Sequence, residues 1–293
     1  MKKGTKMAAL MLALAMMTTT LTACSGNADS NSSSTTTDTT VTNSQTQESE
    51  STPAETGAQE AAPEADDNTL TFGTNAEFPP FEFVTSSGVI DQYDGIDMAI
   101  AKQIAETNGM TAEIENMEFA SLLVALQNGQ IDAAIAGMTI TDERKEEADF
   151  SIPYYTATQV MIMREDSDIA SANDLEGKKI CVIEGYTGEV CVRDMGYPYE
   201  AFKKGTDAIM ELVNGKCDVV ILDSATSQKY VSDNEGLKIV EDPSAFESEE
   251  YAIAVKKGNT ELLDKINTAI DAMLADGTIA ELGAKYTEEL SAE

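Results

Sequence analysis

Two short stretches constrain this chain more than anything else in it. Gln127-Asn128-Gly129-Gln130-Ile131-Asp132-Ala133-Ala134-Ile135 is echoed by Val213-Asn214-Gly215-Lys216-Cys217-Asp218-Val219-Val220-Ile221. Each reads as the end of a helix, an Asn-Gly stop, an aspartate, and a run of small or β-branched residues suited to a strand buried on both faces. A unit written twice predicts two similar α/β halves on one chain.

The surrounding pattern fits that prediction. Strands are expected at Leu70–Gly73, Ile131–Ala136, Lys178–Ile183, Cys217–Leu222 and Tyr251–Val255. Between them, helices are expected at Asp97–Thr107, Phe119–Asn128, Thr187–Met195, Asp207–Asn214 and Asn259–Ala275. In the first of these, Ile96, Ile100, Ala101, Ile104 and Ala105 share a face and Gly109 can end it; Gly129 stops the second. Strands alternating with helices predict parallel sheets covered on both faces. Ligands in such sheets bind beyond the carboxyl ends of the strands, and two lobes can turn those ends toward one cleft.

The first 68 residues stand apart from this pattern. Lys2, Lys3 and Lys6 precede an apolar run, Met7–Met17, too short to span a bilayer. Leu21-Thr22-Ala23-Cys24 follows and resembles a bacterial lipobox. The resemblance implies cleavage before Cys24 and lipidation of its thiol; an ordinary secretory signal with a chance cysteine is the alternative. Ser25–Asn68 has nine acids, no Lys or Arg, no aromatic residue, and Val41 as its one large aliphatic side chain. Such a segment buries too little to offset chain entropy and is expected to act as an extended tether, of about 35–40 Å root-mean-square length.

Thr69–Glu293 is the expected folded part, with a net charge of −27 out of −33 for the chain. No basic stripe is available for nucleic acid. The chain has no histidine, which removes the usual catalytic triad and His metal ligands, and no Gly-x4-Gly-Lys-Ser/Thr loop for a nucleotide. Beyond Cys24 the cysteines are Cys181, Cys191 and Cys217, an odd number in no zinc spacing, read as small buried apolar residues. Neither a metal nor a cofactor is expected.

In so acidic a chain, Ala136-Gly-Met-Thr-Ile-Thr-Asp-Glu-Arg144 attracts notice. The arginine follows a small, Thr-rich turn at a strand end, before a short helix starting near Asp142. Helix N-termini and turns aim N–H groups at anions, and a guanidinium grips a carboxylate with two bonds. Arg144 either waits for an external anion or forms a surface ion pair with Asp142, Glu146 or Glu147.

Seven motifs in order resemble the extracytoplasmic solute-binding proteins of the polar amino-acid ABC-transporter family, bacterial solute-binding protein family 3. They are Gly73–Phe83, Tyr93–Asp97, Asp132–Tyr155, Asp174–Lys179, Glu184–Glu189, Val219–Asp223 and Tyr251–Gly258, spanning about Thr69–Tyr286. The resemblance implies a two-lobed α/β periplasmic-binding-protein fold, two doubly wound sheets joined by a two-strand hinge. It implies lobe 1 at 69–153 plus 252–293 and lobe 2 at 154–251, with crossovers near Tyr154–Thr158 and Ser248–Ala252. It further implies a monomeric, membrane-anchored receptor that closes on an amino acid and hands it to an ABC permease.

The same resemblance assigns roles. Arg144, Thr139 and Gly137 hold the ligand's α-carboxylate, and Thr187 and Gly188 meet it from the other lobe. Asp223 pairs with the ammonium. Phe78 and Phe119 wall the ligand's side chain, while Phe81 and Phe83 stay in the core. A helix N-cap is the alternative for Thr187 and for Asp223. Asn75 stands where basic-amino-acid binders of the family commonly have an aspartate; it can hydrogen-bond an amide, hydroxyl or carboxyl. Glu184 and Glu77 can still supply negative charge, so the expected ligand is a polar amino acid, Lys or Arg ahead of Gln. Two other functions stay open: a dehydratase-like enzyme on the same fold, with Glu77 and Glu184 as acids, and a sensory or adhesive surface lipoprotein.

Overall fold

The structure, a computed structural model, describes residues 68–291. The expected signal segment, the lipidation site Cys24 and the tether through residue 67 lie outside the described residues. In chain order the first elements are β1 (Thr69–Thr74), β2 (Glu77–Phe78), β3 (Glu82–Val84), β4 (Tyr93–Asp94), α1 (Ile96–Thr107), β5 (Thr111–Asn116), α2 (Leu122–Asn128), β6 (Ala133–Ala134), α3 (Asp142–Glu147) and β7 (Ala148–Phe150). A long strand, β8 (Tyr155–Arg164), leads into the second half: β9 (Ile180–Ile183), α4 (Thr187–Asp194), β10 (Tyr199–Phe202), α5 (Gly205–Val213), β11 (Val219–Asp223), α6 (Ser224–Asp233) and β12 (Leu237–Val240). β13 (Ser248–Tyr251) returns the chain to β14 (Ala254–Lys256), α7 (Thr260–Asp276) and α8 (Thr278–Ser291).

Two five-strand ladders result, β5-β1-β6-β14-β7 and β10-β9-β11-β8-β12, with β13 paired to β8. In the first, β1 is parallel to β5 and β6, and β14 is antiparallel to β6 and β7. In the second, β9 is parallel to β10 and β11, and β8 is antiparallel to β11 and β12. Each ladder therefore has four strands pointing one way and one against them, which corrects the all-parallel expectation. The odd strands, β8 and β14, are those by which the chain enters a sheet from the other half, so they run against the strands delivered by βα units.

The repeated motif does the same work in both halves. α2 ends at Gly129 with φ 71°, and after α5 Gly215 has φ 68°; only glycine adopts that backbone cheaply. Asp132 then takes the Thr71 N–H on Oδ2 at 2.8 Å while its own N–H donates to the Thr71 carbonyl. Asp218 repeats both bonds with Lys179. The aspartate thus stitches the start of the second strand of each unit to the first, which is why the echo retains it.

Two expected strands are shorter or broken. Ile131–Ala136 is buried almost throughout, but only Ala133–Ala134 joins the ladder before the chain turns toward the cleft at Gly137. Tyr251–Val255 splits into the end of β13 and the start of β14, because the chain changes sheets there: Ala252 N–H bonds the Met138 carbonyl and Ile253 N–H bonds Ser151 Oγ. The amphipathic pattern continues beyond Gly277 as α8, past the helix expected to end at Ala275.

β8 and β13 are the two crossing strands, paired antiparallel from Thr158↔Ser248 to Tyr155↔Tyr251. Tyr155 and Tyr251 stack at 5.6 Å, and Phe81 meets both edge-on at 4.7 and 5.2 Å. Phe81 is fully buried there and Phe83 partly buried against the core, as expected of both. Cys181 and Cys217 are buried in the second half and Cys191 is half-buried, all three as thiols. Among the described residues no helix is long and apolar enough to cross a membrane.

Candidate functional site

Seven residues singled out from the sequence converge on one small cavity between the two sheets. Phe78, Phe119, Gly137, Thr139 and Arg144 reach it from the first half, and Thr187 and Asp223 from the second; Ala136 and Tyr186 complete the lining. The cavity measures about 10 Å³, room for about one water molecule. It adjoins a wider depression of about 550 Å³ that shares Phe119, Arg144 and Thr187 and opens past Glu189 and Arg193.

Arg144 owes its place to α3. Thr141 caps that helix, its hydroxyl accepting the Arg144 N–H at 3.1 Å. The guanidinium turns inward, donating to the Thr139 carbonyl at 2.7 Å and across the cleft to the Gly185 carbonyl at 2.9 Å. It also lies 5.0 Å from the centre of the Phe119 ring. Among the described residues it forms no ion pair with Asp142, Glu146 or Glu147; Lys145 takes Asp142 instead. Burial pulls the guanidinium's pKa down, and the nearby Glu249 and Asp223 charges oppose that shift.

Asp223 ends β11 and is buried at 3% exposure, with the Tyr251 hydroxyl donating to Oδ1 at 2.5 Å. Burial, and then the like charge of Glu249, push its carboxyl up to about 7. It also occupies the N-cap position of α6, as the alternative reading had it, but its side chain makes no cap bond to that helix and faces the cavity instead. Thr187 opens α4, whose cap position is Tyr186, so Thr187 is not an N-cap. Its hydroxyl accepts from Gln159 Nε2 at 3.0 Å and donates to Glu249 Oε2 at 2.7 Å. Thr139 Oγ1 donates to the same Glu249 oxygen at 2.8 Å.

Gly137 has φ 52°, and a β-carbon there would stand 2.6 Å from the Phe78 ring. Its N–H donates to Asp97 Oδ2 at 2.8 Å, and the Tyr154 hydroxyl shares that oxygen at 2.9 Å. Gly137→Ala combines strained backbone with a clash against a site ring, and is expected to cost about 1–3 kcal/mol of stability. Urea unfolding would register this as a lower midpoint at unchanged slope; an unaltered midpoint would refute it.

Three expected site residues do not face the cavity. Asn75 is buried beside it with its amide committed, Oδ1 accepting from the Tyr186 hydroxyl at 3.0 Å and Nδ2 donating to the Met117 carbonyl at 2.9 Å. Glu184 is exposed and lines none of it; its backbone N–H continues the β9–β10 ladder by bonding the Phe202 carbonyl. Gly188 packs the first turn of α4 onto β11, where a β-carbon would come within 2.8 Å of the Ile221 carbonyl. Glu77 stands at the rim and is neutralised by Lys204 at 2.8 Å.

Tyr186 and Glu249 are the residues that sequence reasoning missed. Tyr186 meets Phe78 and Phe119 edge-on, at 5.4 and 4.6 Å, and completes an aromatic wall. It lies inside the Glu184–Glu189 motif, where only the turn at Gly185 decides which side chain faces inward. Glu249 sits on β13, and nothing local distinguishes it from Glu247 or Glu250. Among the described residues no cluster of His, Cys, Asp or Glu could hold a metal ion.

Contacts across the cleft hold the two halves together around this site. Besides Arg144 to Gly185 and Tyr186 to Asn75, Lys204 pairs with Glu77, Lys203 pairs with Glu118 at 2.7 Å, and the Tyr230 hydroxyl donates to the Glu77 carbonyl at 3.2 Å.

Comparison with known proteins agrees with this architecture. The sequence profile of the bacterial extracellular solute-binding proteins, family 3, matches residues 70–289. The arginine-binding extracellular protein ArtP of Bacillus subtilis is 32% identical over 236 residues, covering 78% of this chain and 90% of that protein. The glutamine-binding protein GlnH of an ABC transporter of the same organism is 33% identical over 235 residues, 78% of this chain and 84% of that one. The crystal structure of the arginine-, lysine-, histidine-binding protein ArtJ from Geobacillus stearothermophilus superimposes with a TM-score of 0.70 at 35% identity, covering 74% of this chain and 94% of that chain. With its two sheets, its crossing strands and a profile match over nearly the whole described region, this chain belongs to the bacterial extracellular solute-binding proteins, family 3, a family of binding proteins and not of enzymes.

Proposed function

We propose that the chain is a lipid-anchored receptor that closes its two lobes on a polar amino acid and delivers it to an ABC permease. One observation carries the reading: the Arg144 guanidinium and the Asp223 carboxylate reach the same cavity from opposite halves, beneath an aromatic wall. A zwitterion with a side chain asks for those three things, an anion clamp, a cation partner and an apolar or π surface. Arg144 and the backbone of the Gly137–Thr139 turn take the α-carboxylate, with the Thr187–Gly188 turn opposite. Asp223 takes the ammonium, and Phe78, Phe119 and Tyr186 cover the side chain.

Lobe 1 is then 69–153 with 252–293, lobe 2 is 154–251, and the crossings at Tyr154–Thr158 and Ser248–Ala252 bend. A cavity of about 10 Å³ admits no amino acid, so entry requires the lobes to part and the bonds across the cleft to break. Ligand contacts made on both lobes at once favour the closed form over the open one. The relatives' specificities, arginine, glutamine, and arginine with lysine and histidine, extend to this chain as a polar amino acid, Lys or Arg ahead of Gln. Lipidation at Cys24 and the tether after it would hold a monomeric receptor at the outer face of the membrane, within reach of its permease.

A thermal-shift screen of residues 69–293 against the twenty amino acids tests the core of this. A ligand at about 100 times its Kd adds about 2.7 kcal/mol, and about 5–10 °C in Tm for a chain of this size. No shift with any amino acid would sink the proposal.

A further inference from the structure

The hydroxyls of Thr139 and Thr187 approach the cavity from opposite lobes. Each has one proton to give, and each gives it to Glu249 Oε2, at 2.8 and 2.7 Å. Gln159 Nε2 adds a proton to Thr187 Oγ1 at 3.0 Å and stands 3.5 Å from the same Glu249 oxygen. What the two hydroxyls offer the cavity is therefore lone pairs, with a carboxylate behind them. Among the described residues the ion pairs do not include Glu249. Its charge is felt at the site, opposing the fall of the Arg144 pKa and raising that of Asp223.

The charges at the site do not balance for a neutral ligand. Arg144 supplies one positive charge, and, once an ammonium group draws the proton from Asp223, Asp223 and Glu249 supply two negative ones. A zwitterion clamped by Arg144 and Asp223 adds nothing net and leaves Glu249, half-buried where the two threonines border a neighbouring depression of about 570 Å³, without a counter-charge. A ligand with one further positive charge removes that imbalance, and its N–H groups suit the acceptor face of the two threonines. Asn75, where an acid would otherwise serve a cationic ligand, is already tied to Tyr186 and Met117.

Resting on the amino-acid reading of this site, we propose that the Thr139–Glu249–Thr187 triad selects cationic amino acids, with Glu249 a specificity-determining residue that acts through the two hydroxyls and through its charge. Thr139 and Thr187 then serve the α-carboxylate with backbone groups, and their hydroxyls serve the cation.

L-arginine and L-glutamine, similar in length but different in charge, are the probes, titrated calorimetrically into the wild-type chain, Glu249→Gln and Glu249→Asp. Wild type is expected to prefer arginine. Glu249→Gln is expected to lower that preference at least about tenfold, mainly by weakening arginine, since the carboxamide removes the charge while its oxygen can still accept both hydroxyl protons. Glu249→Asp is expected to restore part of it. Equal weakening of both ligands would mean a purely structural role and overturn the proposal, as would an unchanged ratio or a wild-type preference for glutamine. If wild type binds no amino acid, the receptor reading itself fails, and that failure is distinct because the thermal-shift screen is then blank as well.

Discussion

Arg144→Ala should lose amino-acid binding by about a hundredfold to ten-thousandfold while the protein remains folded. The guanidinium has five N–H donors, and two are engaged by the Thr139 and Gly185 carbonyls. The others remain for a ligand carboxylate, within the cavity that Asp223 also lines. Charge-assisted hydrogen bonds contribute about 1.5–3 kcal/mol each, so losing a bidentate pair removes about 3–6 kcal/mol, or two to four decades in Kd. The fold should tolerate the change because the guanidinium is half-buried in the cleft and not in either hydrophobic core, and Thr141 keeps its capping role through the backbone of residue 144. Arg144→Lys, a point charge without the fork, should fall between wild type and Ala. Glu146→Ala, which changes an exposed acid on the same helix, should leave Kd almost untouched. Titration calorimetry on the four proteins, alongside melting curves without amino acid, separates binding from folding. Retention of wild-type affinity by Arg144→Ala would remove the carboxylate clamp from the mechanism.

How far the sequence reaches depends on whether a residue's job is local. The Asn-Gly-x-x-Asp echo was legible because a helix stop, a strand start and the aspartate that joins them sit within nine residues, and both copies fold alike around Thr71 and Lys179. Arg144, Thr139 and Gly137 were legible for a similar reason: one turn and one short helix place all three. Asp223 was legible as the end of an unmistakable buried strand. Tyr186 and Glu249 were not, because each faces the site only through pairings between distant segments. The register of β13 on β8 directs Glu249 toward Thr139, 110 residues earlier, and no local pattern encodes that register. Asn75 and Glu184 sit in motifs that the fold does bring near the cleft, but side-chain direction at a strand end or a glycine turn is settled by packing, and packing spends Asn75 on Tyr186 and leaves Glu184 in solvent. The single reversed strand in each sheet escaped notice because periodicity carries no direction.

Melting temperature should fall as pH is raised from 5 to 8, by on the order of 5–10 °C, against the usual acid-labile pattern. Three buried carboxyls set this. Asp97 is fully buried and burial pushes it up to about 6; Asp223 is pushed up to about 7 by burial and by the Glu249 charge. Glu82, also fully buried, is raised well above the ordinary range by burial and by Asp97. Among the described residues the Glu82 carboxyl oxygens and Asp97 Oδ1 have no hydrogen-bond partner, and two neighbouring acids so buried favour the state in which one keeps its proton. A carboxyl whose folded pKa exceeds its unfolded value binds its proton more tightly in the native state. The stability it contributes is full below about 4 and is lost as pH rises through the folded value, here through about 6 and about 7. For Asp97 the difference from 3.8 corresponds to about 3 kcal/mol in all, of which about 1.4 kcal/mol is lost above pH 5, and for this size that is about 3–6 °C; Asp223 adds to it. The opposing acids, with lowered pKa, are Asp168, Asp174, Asp242, Glu261 and Asp276. They are solvent-exposed and their ion pairs and caps weigh little, so they should not reverse the slope. No histidine titrates in the window, since the chain has none. Self-repulsion in so acidic a protein acts in the same direction but is screened by salt, whereas burial is not. The slope should therefore survive in 0.5 M salt and flatten in Asp97→Asn and Asp223→Asn, whose amides can keep the Tyr154 and Tyr251 bonds without a titrating proton. A melting temperature that is level or rising between pH 5 and 8 in high salt, or an unchanged slope in both variants, would mean that these carboxyls are not what governs the pH response of the closed form.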